Sequence, residues 1–199
     1  MSTEARVLRV VAVSGSLTAP SRTTALVEAI ADAFGTALSV DTHVIALHEL
    51  GPHLAGALTR KQLPPEAEHE LQRIETADLL IVATPVYRAS FTGLFKHLFD
   101  FVDQYALVDT PVLLAATGGS ERHALIIEHQ LRPLFGFFQS LALPVGVYAH
   151  DSDFTDYRIS NDQLTERIDK AIARALPLVR SSIAEKEAVE RTLAGEEVG

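Results

Sequence analysis

Val7-Leu8-Arg9-Val10-Val11-Ala12-Val13 leads into Ser14-Gly15-Ser16-Leu17-Thr18-Ala19-Pro20-Ser21, and then into Arg22-Thr23-Thr24-Ala25-Leu26 with Ile30 and Phe34 beyond. An apolar run broken only by Arg9 suits a strand buried on both faces of a sheet. Leu26, Ile30 and Phe34, four apart, suit one face of a helix. The loop between them is small and hydroxyl-rich, and it ends at Ser21, a residue type that caps helix N-termini. Strand, loop and helix in this order gather backbone N–H groups, hydroxyls and the positive end of a helix around one spot. A phosphate is the natural guest there.

The same alternation continues outward. Val40 to Leu47, Leu79 to Thr84, Val112 to Thr117 and Pro144 to Ala149 read as further buried strands, making five. Helical spacing recurs in Leu94, Leu98 and Phe101, and in Ile127, Leu131, Leu134 and Phe138, with a last helix over roughly Asp162 to Arg180. Such alternation predicts an α/β fold, doubly wound, with right-handed crossovers, a parallel sheet and helices on both faces. Ligands of these folds bind beyond the carboxyl ends of the strands, near the point where strand order reverses. The site is therefore expected in loops 14–23, 84–92 and 117–123.

With 199 residues, 47% of them apolar, one well-buried domain is expected over residues 1–182. A net charge of −9 and a pI near 5.3 argue against nucleic acid as a partner, which needs clustered Lys and Arg. The absence of cysteine excludes disulfides, thiol catalysis, thiolate zinc sites and iron–sulfur clusters. No stretch approaches the roughly 20 apolar residues that span a bilayer, and the first residues do not read as an export signal. A soluble, cytoplasmic protein without membrane contact is expected. Residues 183–199, rich in Glu, read as a charged and partly disordered tail.

The three loops hold the unusual residue types. Ser14, Ser16, Thr18, Ser21, Thr23 and Thr24 crowd hydroxyls into the first, with Arg22 beside them. The loop is neither a Walker loop nor the Gly-x-Gly-x-x-Gly fingerprint, so a monophosphate suits it better, although the residues also suit an ordinary Ser/Thr turn. In the second loop, Pro85 stiffens Thr84-Pro85-Val86-Tyr87, which could present an aromatic to a flat heterocycle. In the third, Gly118 and Gly119 allow backbone to approach a ligand edge. His150-Asp151-Ser152-Asp153 lacks ligand spacing, so no metal is expected. His43, His48 and His53 fall in the second strand and the loop after it, as surface groups. Phe91, Phe95, Phe99 and Phe101 read as core or subunit interface.

Val13-Ser14-Gly15-Ser16 with Pro20-Ser21-Arg22-Thr23, Ala83-Thr84-Pro85-Val86-Tyr87, Gly93-Leu94-Phe95-Lys96-His97-Leu98-Phe99-Asp100 and Ala116-Thr117-Gly118-Gly119 together resemble the flavodoxin-like NAD(P)H-dependent FMN reductases. The nearest likeness is to the reductase components of two-component alkanesulfonate and methanesulfonate monooxygenases, over about residues 7 to 182. The resemblance implies a five-stranded sheet of order 2-1-3-4-5. It implies FMN and NADPH or NADH as cofactors, a flavin-dependent monooxygenase as partner, and a homo-oligomer, dimer or tetramer. Carried over residue by residue, Ser16, Ser21, Arg22 and Thr23 would hold the FMN phosphate. Pro85, Val86 and Tyr87 would line its ring, with Thr117, Gly118 and Gly119 near the pyrimidine edge. Many relatives carry Arg where this chain has Thr18, so the phosphate would be held less firmly, as suits a flavin that comes and goes. No side chain need act as acid, base or nucleophile, because hydride transfer belongs to the two cofactors.

Leu125 to Leu134 reads as helix interior, yet Pro133 lacks an N–H and would clash with the carbonyl of His129. A π-turn at His129 relieves that clash, and π-turns gather at functional places. The sulfonate-associated reductases resemble this, which implies a subunit interface at His129. Alternative functions in keeping with these residues are an FMN-bound quinone or azo reductase and a flavodoxin-type electron carrier. The scarcity of aromatics in the loops disfavours the carrier.

Overall fold

The computed structural model describes residues 6–193. Six parallel strands form one sheet: β1 (Leu8–Ser14), β2 (Val40–Ala46), β3 (Leu79–Pro85), β4 (Pro111–Gly118), β5 (Leu141–Ala142) and β6 (Val147–His150). Their order is β2-β1-β3-β4-β5, with β6 also paired to β4. The chain winds outward from β1 in both directions, so the expected doubly wound order is present and the reversal lies between β1 and β3.

Side chains alternate across each strand and supply two cores. Val11, Val13, Leu80, Val82, Val112 and Leu114 point to one face, where α2 (Leu47–Leu54), α3 (Pro65–Glu75), α4 (Gly93–Phe101) and α5 (Arg132–Phe137) cover them. Val10, Ala12, Leu79, Ile81, Leu113 and Ala115 point to the other, beneath α1 (Arg22–Gly35) and α6 (Asp162–Leu193). Phe95 and Phe99 are buried in the first core.

Four details differ from the expectation. The fifth strand is split: β5 pairs with Pro111 and Val112, β6 with Ala115 to Gly118. Pro144 cannot donate to a ladder, and a Cβ on Gly146 would meet Leu114 O at 2.9 Å, so the chain leaves the sheet between the two pieces. The stretch after β2, expected as a loop, forms α2 and α3, which places His48 and His53 on a helix. A hairpin, β7 (Phe154–Thr155) and β8 (Arg158–Ile159), follows β6. Finally, α6 runs to Leu193, so the boundary at 182 falls inside a helix. The Ala- and Glu-rich sequence favours helix there, and Lys186 anchors it by donating to Asp78 at 3.1 Å. Residues 194–199 of the expected tail lie outside the described residues.

Candidate functional site

The carboxyl ends of β1, β3 and β4 deliver the three loops to one side of the sheet. Ser16, Ser21, Arg22, Thr23, Pro85, Val86, Tyr87, Thr117, Gly118 and Gly119, all ten trough residues singled out from sequence, line one open cavity of about 290 Å³. Thr18, Pro20, Asp151 and Tyr157 complete its wall.

At one end the walls are hydroxyls. Ser21 Oγ caps α1, accepting from the N–H groups of Thr23 (3.1 Å) and Thr24 (3.2 Å), which leaves its own proton to donate. Thr23 Oγ1 and Thr117 Oγ1 lie 2.7 Å apart and buried, tying the first loop to the third. One of those two protons makes that bond; the other is left over. Ser16 is committed to its own turn, donating to Thr18 O at 3.0 Å. Arg22 points at Asp151 at 3.5 Å and sits 5.6 Å from the centre of the Tyr157 ring. Part of its charge is therefore already answered.

At the other end the walls are backbone and one aromatic. Val86 N–H donates to Thr117 O at 2.9 Å, stapling the second loop to β4. Tyr87 and Ser90 exchange backbone hydrogen bonds of 2.8 and 3.1 Å around Arg88 and Ala89, whose φ values of 49° and 66° are left-handed without being glycine. Such strain, roughly 1–3 kcal/mol per residue, persists where surrounding structure enforces it and is frequent at ligand sites. A Cβ on Gly118 would lie 2.8 Å from Tyr148 Oη and 3.1 Å from His123 Nδ1; one on Gly119 would lie 3.1 Å from Asp151 Oδ2. Only glycine fits at Gly118 without movement. Tyr148 fixes this turn by donating to Ser120 O at 2.6 Å, and burial pushes its phenol above the ordinary value.

His129 lies outside the trough. Ile127–Leu131 form a π-helix, with Arg132 N–H donating to Ile127 O, and Pro133 then falls in the first turn of α5, where its missing N–H costs nothing. His129 lines a neighbouring pocket of about 150 Å³ with His123 and Gln130, and Val86 belongs to both cavities.

Hydroxyl donors at one end, and a rigid backbone wall with an aromatic at the other, suit a phosphate joined to a planar ring. Residues 8–155 match the family model described as NADPH-dependent FMN reductase. The chain belongs to that family. It is an oxidoreductase whose cofactors are FMN and a nicotinamide nucleotide. Among relatives of the reductase, the NADH-dependent FMN reductase SfnF of Pseudomonas fluorescens is 57% identical over 87% of this chain and 92% of its own length. The FMN reductase (NADPH) of Pseudomonas aeruginosa is 55% identical over 85% and 91%. Among solved structures, an oxidoreductase from Corynebacterium diphtheriae aligns with a TM-score of 0.78 and 34% identity, covering 88% of this chain and 99% of that one.

Sequence reasoning missed Tyr157 and the role of Asp151. Thr155-Asp156-Tyr157-Arg158 turns without glycine, both central residues being left-handed (φ 48° and 62°), so no ordinary turn signal marks the hairpin. The one available signal was an aromatic in a polar run.

Proposed function

We propose that this reductase takes FMN as a substrate, reduces it with a nicotinamide nucleotide, and hands reduced FMN to a flavin-dependent monooxygenase of sulfonate sulfur utilisation. The observation that carries the reading is the trough itself, which is open and meets a phosphate with hydroxyls and one partly neutralised arginine. Ser21 and Thr23 would donate to the phosphate, with Ser16 joining if its turn hydrogen bond is exchanged. Arg22 would add charge from the rim, shared with Asp151. No cation stands at Thr18, where one would bind most firmly.

FMN, when bound, supplies the ring that accepts hydride from the nicotinamide. The chain's part is to orient and to stabilise. Pro85, Val86 and Tyr87 would set the plane of the ring. The N–H groups of Gly118 and Gly119, held by Tyr148 and Thr117, would face the edge where negative charge collects, without reorganising as it does so. His129 and the exposed Leu125 and Phe137 would meet a second copy of the chain in a homo-oligomer adjoining the trough. The sulfonate assignment rests on the sequence motifs shared with reductases of those systems.

Steady-state oxidation of NADH and NADPH, with and without added FMN, tests the reading. A colourless preparation whose turnover requires added FMN, and which lets a sulfonate monooxygenase release sulfite, is the expected result. A preparation that stays yellow through dialysis and prefers a quinone or an azo dye would overturn it. Sedimentation of His129→Ala beside the wild type tests the interface, which an unchanged oligomer and unchanged turnover would refute.

A further inference from the structure

Behind the phosphate end of the trough lies a second and larger cavity, about 580 Å³, on the outer face of α1. Pro20, Ser21 and Tyr157 line both cavities, so the two are continuous over the rim of the first loop. Its floor is flat because Ala25 and Ala29, one turn apart, leave the helix backbone close to the surface. Glu28 and Asp32, again one turn apart and both exposed, edge that floor, and among the described residues neither carboxylate has a hydrogen-bond or ion-pair partner. His48, from α2, closes one end with a buried Nδ1 that has no partner.

The opposite wall is the β7–β8 hairpin. Its left-handed tip residues hold Tyr157 between the cavities, and the hairpin is pinned behind. Asp153, buried, accepts from Arg167 (2.6 Å), Asn161 (2.6 Å) and the N–H of His150 (2.9 Å). A strained tip on a fixed base is a built wall, and the Tyr157 ring stays 44% exposed above it.

We propose that this groove receives the adenosine half of the nicotinamide nucleotide and selects NADH over NADPH. The inference rests on the reductase reading: a nucleotide whose nicotinamide lies at the ring end of the trough and whose chain runs toward the phosphate end would carry its far half over Pro20 and Tyr157, which line both cavities. Carboxylates accept hydrogen bonds from ribose hydroxyls, as they do in dinucleotide-binding sheets, and they repel a 2′-phosphate. Glu28, Asp32 and Asp156 give the groove three carboxylates. Arg158 is its lone arginine or lysine and stands two residues from Asp156 in the hairpin. The half-exposed face of Tyr157 offers the adenine a stacking surface, with the Arg22 guanidinium above the same ring. Ser21, Ala25 and Ala29 leave room without competing for the ribose.

The test compares NADH and NADPH in steady-state FMN reduction by the wild type and by Glu28→Gln/Asp32→Asn. The wild type is expected to favour NADH. The double variant should move the ratio of kcat/KM toward NADPH by roughly five- to tenfold, mostly through KM, since exposed charges act weakly on binding. In a parallel NMR titration without nicotinamide, AMP should perturb the amides of Glu28, Asp32 and Tyr157, and 2′,5′-ADP should bind more weakly; the variant should narrow that gap. An unchanged ratio, a wild type that prefers NADPH, or AMP shifts confined to other surfaces would overturn the groove assignment while leaving FMN reduction standing. Absence of FMN-dependent turnover with either nucleotide would instead overturn the reductase reading.

Discussion

The two ends of the sheet handle polar groups in opposite ways. At the amino end, Asp78 is buried and saturated: it accepts from Arg6 (3.0 Å), Lys186 (3.1 Å), and both the side chain (3.2 Å) and the N–H (3.0 Å) of Arg9. At the carboxyl end, hydroxyls and backbone N–H groups line an open trough where cationic charge is scarce, and strained turns hold the walls. The first end closes the fold by joining β1, the start of β3 and the end of α6. The second keeps hydrogen-bonding capacity open to solvent or to a bound molecule. A saturated ion-pair cluster thus stands at one end of the sheet and an open, hydroxyl-lined trough at the other.

The sharpest way to break that contrast is Gly118→Ala. The new methyl would stand 2.8 Å from Tyr148 Oη and 3.1 Å from His123 Nδ1, so either the Tyr148 phenol must leave its hydrogen bond to Ser120 O or the third loop must shift, and both loosen the backbone wall of the trough. FMN turnover is expected to fall about a hundredfold, equivalent to about 2.7 kcal/mol of barrier, as for the loss of a preorganised backbone donor. Circular dichroism and thermal melting should change little, because the β4 ladder ends at this residue. Full activity in the variant would show that the Gly118 wall does not face the ring.

Asp78→Asn tests the other end and should leave FMN turnover intact. Burial alone would push the Asp78 pKa up, but hydrogen bonds from Arg9 and Lys186 outweigh it and hold the carboxyl at about 2, below its ordinary 3.8. Above about pH 4 the carboxylate is charged in both folded and unfolded chains, and the stabilisation is fully present. As pH falls from there to about 2, the unfolded chain takes up the proton first and the stabilisation is lost. Because the cations are partly exposed and screened, its worth is about 1–2 kcal/mol, or roughly 2–8 °C in melting temperature. Wild type and variant should therefore differ in melting at neutral pH and converge near pH 2. A constant gap across that range would refute the account.

The two ends were also unequally legible in the sequence. The trough could be read because its residues sit within a few positions of strand ends, where topology dictates that loops converge: Ser16 to Thr23, Pro85 to Tyr87, Thr117 to Gly119. The π-turn could be read because Pro133 forbids the regular helix outright. The Asp78 clasp could not, since Arg6, Arg9, Asp78 and Lys186 are brought together only by the sheet and by the far end of α6, and local patterns carry no such pairing. Tyr157 was hidden for a related reason: its hairpin tip adopts left-handed backbone without glycine, held there by Asp153, Asn161 and Arg167 from neighbouring structure. The second helix layer, α2 and α3, was missed because Pro52 sits within α2 and because Pro64 and Pro65 look like a break, although Pro65 stands in the first turn of α3, where it fits.

The smallest expected effect sharpens the contrast most, because it adds at the open end what the closed end already has. Thr18 lines the trough, and its N–H and carbonyl both engage the Ser16 hydroxyl, so the backbone at this position is fixed while its side chain is free to vary. Thr18→Arg would place a guanidinium beside the proposed phosphate position, with Arg22 already occupied by Asp151. A charge-assisted contact at a partly exposed site should tighten FMN about tenfold, close to 1.4 kcal/mol, measured by fluorescence titration. Tighter retention slows product departure, so turnover with free FMN should fall once release limits the rate, and the purified variant should carry flavin where the wild type carries little. Unchanged affinity would mean that the phosphate does not lie beside Thr18, and that the openness of this end must be explained by something other than the missing charge.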